Sequence, residues 1–158
     1  MRKILAAAAA LAIGVGVPTV ALAATSGNTS ALDLQASRWT TTSQQTTGTN
    51  WHSVTGLGPL TICALHQVTA TLSVELDGAS ASFRIHQDGG PIVAPGAVRF
   101  VPAGAHDSFS FTFLANAAPF EANDNHGFEV EWRSPTGQQT TLERATFNLQ
   151  YEHGTQAC

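Results

Sequence analysis

Beyond Lys3 the chain has no lysine, and charged residues make up only 11% of it. With Arg2 and Lys3 set aside, five arginines stand against eleven acids, a formal net charge of −6. Nucleic acid and anionic membranes both need a basic patch, so neither is an expected partner. Chemistry-bearing motifs are missing too. There is no H-x-H, H-E-x-x-H or C-x-x-C to hold zinc or copper on a β scaffold. A G-x-S-x-G elbow, a glycine-rich phosphate loop and the spaced calcium pattern of an EF-hand are equally absent. No metal, cofactor or catalytic residue is therefore assigned.

The long apolar run is confined to the N-terminus. Arg2 and Lys3 precede 14 apolar and glycine residues, Ile4 to Val17, followed by Pro18 and Ala21-Leu22-Ala23. This is the pattern of a secretory signal peptide with an A-x-A cleavage site, and it is short of the roughly 20 residues that span a bilayer. The mature chain is expected to start near Ala24, to be secreted, and to form a single domain. From Ala24 to Asn50 the composition is rich in Ser, Thr, Gln and Gly, which reads as a flexible leader or an irregular edge segment carrying one Trp, Trp39.

From Trp51 onward apolar residues alternate with polar ones. Val68, Ala70, Leu72, Val74 and Leu76 alternate with Thr69, Thr71, Ser73 and Glu75; Phe109, Phe111 and Phe113 with Ser108, Ser110 and Thr112; Phe128, Val130 and Trp132 with Glu129, Glu131 and Arg133; Phe147, Leu149 and Tyr151 with Asn148 and Gln150. A period of two marks strands with one buried face. Turn signals punctuate them at Asp77-Gly78, Asp88-Gly89-Gly90, Pro95-Gly96 and Ser134-Pro135-Thr136-Gly137. Seven to nine strands without a helical period predict an all-β, antiparallel two-sheet sandwich over residues 51–158. The six aromatic and aliphatic residues Phe109, Phe111, Phe113, Phe128, Val130 and Trp132 are predicted to face one core.

In an exported chain the two cysteines, Cys63 and Cys158, are expected to form an intramolecular disulfide, with free thiols or an intermolecular bond as the alternatives. Closing so long a loop constrains the unfolded chain by roughly 4 to 5 kcal/mol on the entropic account. His66, His106 and His126 sit at predicted strand starts and read as turn histidines. Asn123, Asp124 and Asn125 lie in the polar stretch 116–126, and adjacent side chains in an extended loop do not converge on one ion. Glu129 and Glu131 have the spacing of a glycosidase pair, but neighbouring strands carry Arg84, Arg99, Arg133 and Arg144, so cross-strand ion pairs are the simpler expectation.

The segments Trp51-His52-Ser53-Val54-Thr55-Gly56-Leu57, Phe83-Arg84-Ile85-His86-Gln87-Asp88-Gly89, Val130-Glu131-Trp132-Arg133 and Arg144-Ala145-Thr146-Phe147 to Tyr151 together resemble bacterial and phage C1q/TNF-like jelly rolls. The resemblance implies a jelly roll whose first and last strands are neighbours, and a non-catalytic role in binding or assembly, often as a homotrimer with an apolar outer face. The collagen-like stem of the animal proteins is missing, so their partners do not carry over. A secreted, non-catalytic interaction or structural module is thus the leading expectation. A carbohydrate-binding module with Trp39, Trp51 or Phe120 as a stacking platform is the second, and a metal-dependent or glycosidase-type secreted enzyme the third. Asp124 and His126 complete the candidate ligand or interface contacts.

Overall fold

A computed structural model of the protein describes residues 33–90, 92–115 and 125–153. Among them are nine strands and no helix: β1 (Asp33–Thr40), β2 (Gln44–Thr46), β3 (His52–Ser53), β4 (Leu60–Gly78), β5 (Ala81–Gln87), β6 (Val98–Phe100), β7 (Asp107–Ala115), β8 (Asn125–Arg133) and β9 (Thr140–His153). All pairings are antiparallel, and the strands form two packed sheets, a jelly-roll-like sandwich. Sheet A has the order β1-β9-β4-β7, with β2 following β1 along the edge of β9. In sheet B, β3 and the start of β4 lie in succession along one edge of β8, whose other edge carries β5 and then β6.

β4 belongs to both sheets. Leu60 to Cys63 pair with β8 in sheet B, and Val68 to Gly78 pair with β9 in sheet A. The register slips between Ala64 and Val68, and an irregularity of this kind bends a strand enough to carry it from one sheet to the other. The Asp77-Gly78 signal does end β4, but it makes no hairpin, because the next strand, β5, pairs only in sheet B. Gly78 takes φ 86°, and a Cβ there would lie 3.0 Å from the Gln139 carbonyl oxygen. That close approach lets Ala79 N–H donate to the same oxygen at 3.1 Å as the chain crosses over.

The stretch 24–50 is not all leader. Asp33 to Thr40 form the edge strand of sheet A, each residue in register with β9 from Glu152 to Ala145. Its Ser- and Gln-rich composition suffices because an edge strand needs few apolar residues: Ala36 packs on the core, Thr40 is buried, and backbone pairing with β9 supplies the rest. Residues 24–32 of that stretch lie outside the described residues, as does the signal sequence.

The core lies between the sheets. From sheet A come Val68, Ala70, Leu72, Val74, Phe113, Phe147 and Leu149; from sheet B come Phe83, Ile85, Phe128, Val130 and Trp132. Each large side chain so buried contributes on the order of 1.5–3 kcal/mol. The alternation is as predicted, with one correction: Phe109 and Phe111 point at the core but are only partly buried. They sit on an edge strand of sheet A, opposite a sheet B edge, β6, that is only three residues long. Phe100 of that short strand stacks on Phe109 at 5.0 Å and leaves part of it uncovered.

Candidate functional site

The outward residues of sheet A fall into cross-strand rows fixed by register. The first is Gln35, Gln150, Thr69 and Leu114; the second Ser37, Asn148, Thr71 and Thr112; the third Trp39, Thr146, Ser73 and Ser110. No charged side chain occurs in the three rows. With strands about 4.8 Å apart and alternate residues about 6.6 Å apart, the array covers roughly 14 by 13 Å. The Thr71 and Thr112 hydroxyls lie 3.2 Å apart, and those of Ser73 and Ser110 3.0 Å. Each such pair uses one O–H, leaving the second O–H and several lone pairs for a ligand. Trp39 closes one corner, 44% exposed, and Leu114 the diagonal corner, 45% exposed.

A charged row borders the array. Arg144 faces Glu75, its Nε 2.8 Å from Oε2, and His106 Nδ1 lies 3.6 Å from the same carboxylate. With Thr41 and Glu143 these residues line an open cleft of about 360 Å³. A β-bulge builds it. Glu75 pairs with Arg144 but Leu76 with Leu142, so Glu143 is an extra residue, and such a bulge turns two successive side chains toward one side. The sequence carries the signal for this as a spacing of three, instead of two, between the core residues Leu142 and Ala145.

Sheet B is the opposite in character. Its outer face carries Arg84, His86, Glu129, Glu131 and Arg133, and these are engaged with one another or with their neighbours. Arg84 Nε donates to Glu131 Oε2 at 2.6 Å, and His86 Nε2 lies 2.9 Å from the same oxygen, off the hydrogen-bonding direction. The His86 ring bonds through Nδ1 to the Gly90 carbonyl at 2.9 Å, and Ser53 Oγ donates to Glu129. The Arg84 and Arg133 guanidinium carbons lie 4.4 and 4.5 Å from the Trp51 ring centroid. Two cations packed on this half-buried indole leave it a structural role.

The candidate contacts therefore do not share one site. Trp39 stands exposed on sheet A and Trp51 is held on sheet B, so they do not form a joint platform. His126 is at the sheet B end: its Nδ1 lies 2.8 Å from Asp88 Oδ2, while Gly127 N–H donates to Asp88 Oδ1 at 2.6 Å. Burial alone would raise the Asp88 carboxyl, but the His126 hydrogen bond, the Gly127 N–H and the His126 charge hold it below its ordinary value. His126 is in register with Ile62 and His106 precedes Asp107, which is in register with Leu76, so these two histidines lie toward opposite ends of β4. Among the described residues no group of three metal-binding side chains occurs. Phe120, Asp124 and the expected Cys63–Cys158 disulfide fall outside the described residues and side chains. No protein-family model matches this chain, and no curated protein matches it in sequence.

Proposed function

We propose that the protein is a secreted, non-catalytic module that binds an uncharged carbohydrate on the outer face of sheet A. What carries the reading is Trp39, an exposed indole in register with an uncharged field of hydroxyl and amide side chains. Sugars present apolar C–H faces that stack on an indole and hydroxyls that exchange hydrogen bonds with Ser, Thr, Asn and Gln. The bordering ion pairs contribute no cation to the array, which fits a neutral ligand better than an anionic one.

Titration with soluble, neutral polysaccharides such as glucomannan and arabinoxylan, followed by Trp fluorescence and calorimetry, tests this. Binding should be lost in Trp39→Ala and kept in Trp51→Ala; equal affinity for wild type and Trp39→Ala would overturn it. Export and the disulfide belong to the same proposal. N-terminal sequencing of secreted protein should begin at or near Ala24, and intact mass should change by two hydrogens on reduction.

The homotrimer implied by the C1q/TNF-like resemblance is a second reading. In its favour are Val101, 63% exposed, and the partly open Phe109 and Phe111 at the sandwich edge. Light scattering giving the mass of three chains would support it, and the mass of one chain would remove it.

A further inference from the structure

We infer, resting on the carbohydrate reading above, that the ligand is an unbranched, extended chain lying across the strands, one sugar unit over each of β1, β9, β4 and β7. The row Trp39, Thr146, Ser73 and Ser110 supplies one contact per strand, starting with the stacking platform. Its spacing is that of neighbouring strands, about 4.8 Å, whereas a chain running along a strand would meet a contact only about every 6.6 Å. The length of a pyranose unit in an extended chain is nearer the first value. Ser73 and Ser110 are already joined at 3.0 Å, so their hydroxyls are oriented before a ligand arrives, which lowers the ordering cost of binding.

The ends of the row are set as well. Trp39 is on the edge strand β1, and Ser110 is on β7, where the described sheet stops, so the row holds four units and no fifth. Adjacent strands rotate by about 20–25°, so the outer face turns by roughly 60–75° over the row. A single solvated chain can follow that turn, but the flat face of a crystalline polysaccharide cannot.

Calorimetry with β-1,4-linked oligosaccharides of glucose, mannose and N-acetylglucosamine, from two to six units long, provides the test. For at least one series, affinity should rise roughly two- to tenfold per unit up to four units and then stay level. Ser110→Arg should move that plateau to three units, while Gln35→Arg, along the strand from Trp39, should leave it at four. Thermal melts of both variants establish that they fold. Crystalline cellulose and chitin should not retain the protein. Binding through Trp39 whose affinity is level from two units, or a plateau that Gln35→Arg shifts and Ser110→Arg does not, overturns the row while leaving the carbohydrate reading intact. No binding to any oligosaccharide or soluble polysaccharide overturns both.

Discussion

The two outer faces are built on the same alternation and the same core, yet one is a field of uncharged hydroxyls and amides and the other a set of charges engaged with one another or with their neighbours. On sheet B, Glu131 is held by Arg84 at 2.6 Å and approached by His86 at 2.9 Å, and Trp51 lies against two guanidiniums. On sheet A the polar groups pair weakly, hydroxyl to hydroxyl, and the indole at the corner has open solvent over it. A face whose charges are held by one another and by their neighbours stabilises the fold, whereas one with spare donors and acceptors is available to a partner. Outer-face substitutions should therefore separate stability from binding.

The largest effect belongs to the core beneath both faces. Phe113→Ala should cost about 3–5 kcal/mol, and Phe111→Ala, on the same strand but partly exposed, clearly less. Equal denaturation midpoints for the two would mean that the edge is closed in solution. Next comes Glu131→Gln, which leaves Arg84 and His86 without their carboxylate and should cost about 1–2 kcal/mol. Thr71→Ala, the matching change on sheet A, should stay within about 0.5 kcal/mol. Urea melts of the pair would sharpen the contrast, and equal losses would erase it.

Asp88→Asn should have a small effect that depends on pH. The Asp88 pKa lies below its ordinary 3.8 when folded, so its stabilisation is complete above about that pH and is lost as the pH falls through the folded value. With the carboxylate 43% exposed, the variant should be less stable at pH 7 by under about 1 kcal/mol, and the gap should close in acid. A gap that stays constant down to acid denaturation would show that the carboxylate's charge plays no part.

The strands and their inward faces are legible in the sequence because a period of two is a local signal, as in Val68 to Leu76 or Phe128 to Trp132. β1 is less so, since a Ser- and Gln-rich edge strand has nearly the composition of a linker and is fixed by its partner β9. The sheet change after Gly78 is hidden for a similar reason: Asp-Gly marks a reversal but not which sheet receives the next strand. Trp39 is visible as an isolated aromatic, but its distinction from Trp51 depends on Arg84 and Arg133 meeting across strands. The hydroxyl rows are a product of register among β1, β9, β4 and β7, and no single segment contains them.

The passage of β4 through both sheets has a mechanical consequence. Its hydrogen bonds run to β8 at one end and to β7 and β9 at the other, so neither sheet can peel away without loading the backbone of its counterpart. The strand acts as a tie rod, and the amide protons of Ala70 to Val74, flanked on both sides, should be among the last to exchange with deuterium. Slippage between the layers is thereby resisted along the covalent chain itself, so a polymer tugging on the hydroxyl face would be pulling on the whole sandwich.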